Sequence, residues 1–329
     1  MPAAPRELPP ELGESFAYAG ALASGVSARR LRARDLEAPF RGVRRVALDP
    51  GLAVSDDAPL ARDRALQRRI ERDARAYLHV MAPQAFFAGR TAAVLYGLPV
   101  PEPRALDVGV TLPARAPRGA GVQGHTLNAG YASVRMLRGL RIASPASTWA
   151  MLGAELDERE LVRLGDAIVR IPRDDRGRPH PELQLATIDE LRSALEAGRR
   201  PGAPRLRRAL ARIRVGSMSP LETDARLDLV DAGLPEPDLD VEVRNSTGRL
   251  LGIADGRFPR ERVLIEVEGD HHRTDRRQWA RDIEKHAAYV AEGYEVVRLT
   301  GVQIRRHPAD AVALVRAALI RRGWSPPSR

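Results

Sequence analysis

The chain has 329 residues, no cysteine and a formal net charge of +10. That length leaves room for two or three domains, and the absence of cysteine excludes disulfides, thiolate nucleophiles and cysteine-bound zinc. A cytoplasmic setting fits. The sequence shows no charged-then-apolar leader, and no apolar run long enough to span a bilayer, so a soluble protein with no membrane partner is expected. The basic surplus points to a polyanion such as DNA. The pull is mild, because Lys285 is the sole lysine and the arginine excess matches high-GC coding.

The first unit spans 14–50. A helix is expected over 16–24, a turn at Gly25, and a second helix over 28–34 with Ser27 as its cap. Residues 40–46 read as a tight basic hairpin. Helix, turn, arginine-bearing helix and wing is the order of a winged helix-turn-helix. Arg29, Arg30, Arg32 and Arg34 would then approach the major groove or phosphates. Arg41, Arg44 and Arg45 would touch the backbone from the wing. A helical hairpin with a solvated arginine face fits the same pattern.

Residues 58–170 form a mixed α/β region. The pattern predicts a long charged helix over 60–80, an apolar helix over 86–95, and strands at 106–112 and 132–137. A Pro/Gly loop carrying His125 lies between those strands, and His125 is given no role. Ser144-Pro145 starts a helix through Leu152, and another amphipathic helix runs over 157–169. The polar, proline-rich stretch 170–181 reads as a domain boundary. It opens a 171–215 linker with short helices near 188–197 and 204–213.

The most informative part is 219–322. Ser219-Pro220-Leu221-Glu222 is a capped helix start ending near Gly233. Strands follow at 239–244, 250–254 and 263–267, then a helix over 274–292, a strand over 294–299 and a last helix over 308–321. The strand–helix–strand crossover implies a parallel pair in a mixed sheet.

Carboxylates mark this part. Asp255 follows one strand, and Glu266 and Glu268 share one face of the next, because side chains alternate. A hairpin through 257–262 would bring Asp255 beside them. Carboxylates so placed repel, which raises a pKa or calls for a cation, and hard oxygen ligands suit Mg²⁺. Glu222 reaches the site from its helix, or only caps it. His271 and His272 follow directly and could move protons. The bland alternative is a solvated strand face.

The order of elements, with carboxylates at those points, resembles the PD-(D/E)XK nuclease core. Glu266-Val267-Glu268-Gly269-Asp270-His271-His272, with Asp255 before and Asp282 after, is similar to the Vsr-like domain. That resemblance implies a restriction-endonuclease-like mixed sheet flanked by helices. It implies a metal held by Asp255, Glu266 and Glu268, with Glu222 assisting and His272 as a proton carrier. The lysine slot of the motif holds Glu268, so Lys285 on the following helix is the available substitute.

The front resembles the N-terminal part of AbiE-type (type IV) antitoxins. Gly25-Val26-Ser27, Thr91-Ala92-Ala93-Val94-Leu95-Tyr96-Gly97 and Ala143-Ser144-Pro145 carry the likeness. It implies a winged helix on promoter DNA and a nucleotidyltransferase-type toxin partner. Two functions are therefore open. One is a Mg²⁺-dependent DNA endonuclease; the other is a non-catalytic regulator with a degenerate nuclease fold.

Overall fold

The computed structural model describes residues 7–48, 60–174, 176–269 and 276–326; the side chains of 276–282 lie outside that description. The fold is mixed α/β, with helices flanking mixed sheets. The chain divides into two compact units. One runs to Glu155 and includes Leu191–Ala203; the other holds Leu156–Glu190 and everything from Pro204.

The first unit opens with β1 (Ser15–Ala17), α1 (Tyr18–Ala23), β2 (Leu36–Glu37) and β3 (Val43–Val46). The strands form an antiparallel sheet in the order β1-β3-β2. The helix expected from residue 16 starts two residues later, because Phe16 pairs with Arg44 in the sheet. The expected second helix over 28–34 is a single 3-10 turn, Arg30–Arg32. Ser27 Oγ does accept the Arg30 N–H, at 3.2 Å. Arg30 then folds back onto Asp35 in a two-bonded pair, at 2.9 and 2.6 Å, and Ala33 is already extended.

Next comes α2 (Ala61–Tyr77). Arg45 of β3 is nearly buried and donates to both Glu37 and Asp73, the latter on α2. That pairing joins the small sheet to α2, and both lie in the same compact unit.

The remaining elements of this unit are β4 (Phe86–Phe87), α3 (Gly89–Leu95), β5 (Leu106–Thr111), β6 (Arg118–Gly119), β7 (Val122–Leu127), β8 (Val134–Leu137), β9 (Leu140–Ala143) and α4 (Pro145–Met151). The strands make one six-stranded mixed sheet, ordered β6-β7-β5-β4-β9-β8. Phe87, Val108 and Ile142 of the sheet bury with Ile70, Tyr77 and Leu95 of the helices. His125, expected in a loop, lies within β7, whose pairing with β5 is parallel.

The second unit begins with α5 (Glu158–Val169), capped by a reciprocal Asp157–Glu160 box. The proline-rich stretch after it is no linker. Arg173 and Pro179 form a β-bridge, and Arg173 grips both carboxylate oxygens of Asp240, at 2.9 and 2.8 Å. Asp240 has φ of 53°, a conformation open to Asp but rare for most residues. Helices α6 (Ile188–Glu196), most of which belongs to the first unit, and α7 (Ala203–Arg212) follow in the chain.

Then come α8 (Pro220–Asp231), β10 (Asp238–Arg244), β11 (Leu250–Phe258), β12 (Val263–Glu268), α9 (Arg276–Ala291), β13 (Glu295–Thr300), α10 (Gly301–Arg306) and α11 (Pro308–Arg321). The sheet order is β10-β11-β12-β13, with β12 and β13 parallel as the crossover requires. Val263, Ile265 and Leu299 bury on one face against residues of α8 and α11. Leu264, Ala254 and Val243 bury on the other with Tyr289 of α9.

Candidate active site

The site is built where β11 parts from β12. Their pairing covers Phe258↔Val263, Arg257↔Leu264 and Gly256↔Ile265, and ends there. At the next position the Asp255 carboxylate accepts the Val267 N–H, at 2.6 Å. The side chain thus takes over where a backbone carbonyl would continue the ladder. Alternation also breaks here. Phe258 and Gly256 face the α8 side, whereas Ala254 and Gly252 face Tyr289 on α9. A local irregularity of this kind re-aims a side chain, and such breaks favour functional sites. Asp255 sits at the fork.

On the α8 side, Asp255 and Glu222 line one small cavity, with Leu239, Ile265 and Val267 in its wall. Ser219 caps α8 by accepting the Glu222 N–H, at 3.2 Å. The Glu222 side chain accepts the Met218 N–H, at 2.7 Å. So Glu222 is both a helix-start residue and a wall of the site. Its carboxyl is pushed up to about 8. Loss of water is the main cause, the negative charge of Asp255 the second, and Asp240 adds to it. The donors at Met218 and Ser219 oppose the rise.

On the α9 side, Lys285 donates to Glu266 Oε2, at 2.6 Å. Both side chains are mostly shielded, at 28% and 16% exposure. Tyr289, one turn further on, is fully buried. Its phenol is pushed above the usual tyrosine range, first by burial and then by the charges of Glu266 and Asp255. Asp255 therefore acts electrostatically on both sides: on Glu222 across the cavity and on Tyr289 under α9. Glu268 takes a different course. It pairs with Arg298 of β13 at the rim.

Would these residues fit a divalent cation? Among the described residues, no three His, Cys, Asp or Glu side chains are grouped closely enough to enclose one. Mg²⁺ does not need that. It keeps several waters and takes one or two carboxylates, completing its shell with substrate phosphate. Glu222 facing Asp255, with its ionisation opposed, is an arrangement that a hard cation relieves. The donors are all oxygen, and two carboxylates from two elements converge, so the residues fit Mg²⁺. His272, His271 and Asp270 lie outside the described residues, as does the Asp282 side chain.

The arginines expected on DNA are split by the structure. Arg29, Arg32, Arg34 and Arg41 are exposed. Arg30 is committed to Asp35, and Arg45 to Glu37 and Asp73. These two carry internal charge pairs, so each guanidinium is already engaged within the fold. Arg44 donates to the Leu31 carbonyl, at 2.8 Å, and covers the Tyr18 ring.

Sequence reasoning assigned no role to Tyr289. Its spacing of four from Lys285 was the available signal, because i and i+4 share a helix face. No family model matches the chain, and no curated protein matches it. Among the described residues no helix is long and apolar enough to cross a membrane.

Proposed function

We propose that the second unit is a Mg²⁺-dependent phosphodiesterase acting on DNA, of the Vsr-like kind that its motif resembles. One observation carries this reading: the single lysine of the chain reaches Glu266 from α9, beside the fork that presents Asp255. A lysine at that place supplies the function missing from the motif position held by Glu268. It offsets charge that develops on a phosphate under attack.

In this reading Asp255 holds the cation, assisted by Glu222 across the cavity and by Glu266 on the α9 side. A bound Mg²⁺ polarises a phosphoryl oxygen and activates water. The protein's own contribution is positional. The Val267 N–H orients Asp255, the Met218 N–H orients Glu222, and Lys285 holds Glu266 until a phosphate arrives. His272 would carry the proton. The exposed arginines of the first unit, Arg29, Arg32, Arg34 and Arg41, would add salt-dependent affinity for the DNA backbone.

The test is nicking of supercoiled plasmid by the full chain in Mg²⁺. Wild type should nick, and Asp255→Ala should lose roughly a thousandfold in rate, since several kcal/mol of charge stabilisation ride on the metal. Equal nicking by both proteins rejects the reading. A second reading has support from Glu268, whose pairing with Arg298 leaves the motif's last position without a catalytic partner. It makes the protein a non-catalytic regulator of the AbiE-antitoxin kind, with a nucleotidyltransferase-type toxin as partner. An inert wild type that binds its own promoter would favour it.

A further inference from the structure

Three arginines are almost wholly buried among the described residues: Arg45, Arg200 and Arg226. Arg45 is paired with Glu37 and Asp73, and Arg226 with Asp166 and Glu236. Among the same residues no carboxylate pairs with Arg200. Its Nη2 donates to the Tyr131 carbonyl, and its guanidinium lies 5.1 Å from the centre of the Tyr131 ring. Its Nε is buried and meets no hydrogen-bond partner among the described residues. A buried cation without a counter-charge is costly, and burial pushes this guanidinium below its ordinary value.

The backbone around Arg200 is shaped to hold it there. It lies in the loop Gly198-Arg199-Arg200-Pro201-Gly202, within the first unit. Gly198 has φ of 144°, and a Cβ there would come within 2.5 Å of Tyr131 Cε1. Gly202 has φ of 78°, and a Cβ there would come within 2.1 Å of the Gly153 carbonyl oxygen. A side chain at either end would push the loop away. Tyr131 Oη donates to the Arg199 carbonyl, at 2.9 Å. The tyrosine hydroxyl and the two glycines thus fix the loop without help from a charge at position 200.

We propose that the Gly198–Gly202 loop is a phosphate site, in which a phosphate oxygen accepts from Arg200 Nη1 and supplies the missing counter-charge. Arginine pairs readily with phosphate through charge-assisted hydrogen bonds. The 8% of Arg200 that stays exposed is where the ligand meets it. Arg199 is exposed beside it and adds a second positive charge. Two adjacent cations favour an anion with several charged oxygens, and the net charge of +10 favours one carried on a polyanion. A DNA strand is one source of that phosphate, and inorganic phosphate is the other. The site does not depend on the phosphodiesterase reading, because it lies in the first unit.

Melting of the full chain in EDTA tests this with divalent cations removed. At equal ionic strength, phosphate in place of chloride should raise Tm by about 2–4 °C. Phosphate also stabilises proteins without binding them, so the decisive reading is the comparison with Arg200→Met. That variant should lose the gain, while its Tm in chloride stays within about 2 °C of wild type. A gain that survives in Arg200→Met overturns the proposal. So does a larger fall in chloride, which would make Arg200 a structural clamp. Anisotropy of a labelled DNA duplex separates the sources. Binding weakened roughly three- to tenfold in Arg200→Met, with a salt slope smaller by about one, assigns the phosphate to DNA. Unchanged duplex binding, with the phosphate gain lost, assigns it to inorganic phosphate. A gain from polyglutamate as large as that from phosphate, and lost in Arg200→Met, points to an acidic protein partner and overturns the phosphate assignment.

Discussion

Each unit places a carboxylate on an interior strand, and the two are treated in opposite ways. Asp107 of β5 accepts the Arg90 N–H at the start of α3, at 3.0 Å, and pairs with His125, at 2.8 Å. Its own N–H donates to Thr91 Oγ1, at 2.8 Å. Helix α3 has no side-chain cap of its own, so Asp107 supplies one from the neighbouring strand. The groups bonded to its carboxylate are backbone N–H donors and His125. Asp255 also accepts a backbone N–H, but across its cavity stands another carboxyl, Glu222, whose ionisation it opposes. Burial is common to both, and complementarity is what separates them. A carboxylate kept for stability collects donors; a cluster of like charges is retained where a ligand completes it.

The second unit is able to satisfy a buried carboxylate, as Asp166 of α5 shows. It accepts from the Arg214 N–H, Thr223 Oγ1 and Arg226, all between 2.8 and 2.9 Å. Asp166 and Arg226 have almost no exposed surface. The largest effect expected on stability lies here. Asp166→Ala leaves the Arg226 guanidinium buried and still paired with Glu236, and should cost about 3–5 kcal/mol. Urea unfolding measures it. A loss under about 1 kcal/mol would put this pair with ordinary surface pairs and erase the contrast with the candidate-site carboxylates.

Lys285→Met should show the reverse profile. Stability should move by less than about 1 kcal/mol, because the pair with Glu266 is partly solvated. Nicking should fall about a hundredfold, the usual loss when one preorganised donor is removed from a developing oxyanion. A large stability loss with unchanged nicking would make Lys285 a structural residue like Arg226.

The sequence carried the second unit well. Ser219-Pro220 marks a helix start through its hydroxyl cap and fixed φ, and the β-branched run 263–267 becomes β12 almost residue for residue. The crossover then dictates the parallel pair with β13. In the first unit the strands are two to six residues long and rely on neighbours. The strand Val122–Leu127 reads Val-Gln-Gly-His-Thr-Leu, with little apolar alternation, and becomes a strand by pairing with β5. Arg30 and Arg45 look like DNA contacts until Asp35 and Asp73 are seen beside them. The stretch 170–181 has linker composition, and one residue in it, Arg173, fixes it to Asp240. In the site, Asp255 and Glu266 were legible as acidic strand residues. The pairing of Glu268 with Arg298 was not, because strand alternation says nothing of the cation on the next strand.

The smallest effects expected are pH slopes, and they sharpen the comparison furthest because both groups are raised for opposite reasons. The His125 imidazole is held above its ordinary value mainly by its hydrogen bond to Asp107. The charged form is favoured in the fold. Its contribution is complete below the unfolded value of about 6.5 and is lost as pH rises through the higher folded one. Glu222 is raised to about 8 because its charged form is disfavoured. Between about 4.5 and 8 the folded state holds a proton that the unfolded state has released, so stability again falls as pH rises. A cation separates the two. A Mg²⁺ ion held as proposed would select the ionised carboxylate and take the proton's place, so it should raise Tm more at pH 8.5 than at pH 6. Glu222→Gln should remove most of that difference. His125→Gln should flatten the slope above pH 6.5 and leave the Mg²⁺ response intact, since Asp107 is held by His125 and backbone donors. An equal Mg²⁺ gain at both pH values would mean that proton and metal do not compete at Glu222, and the raised Glu222 carboxyl would then need an explanation other than a cation.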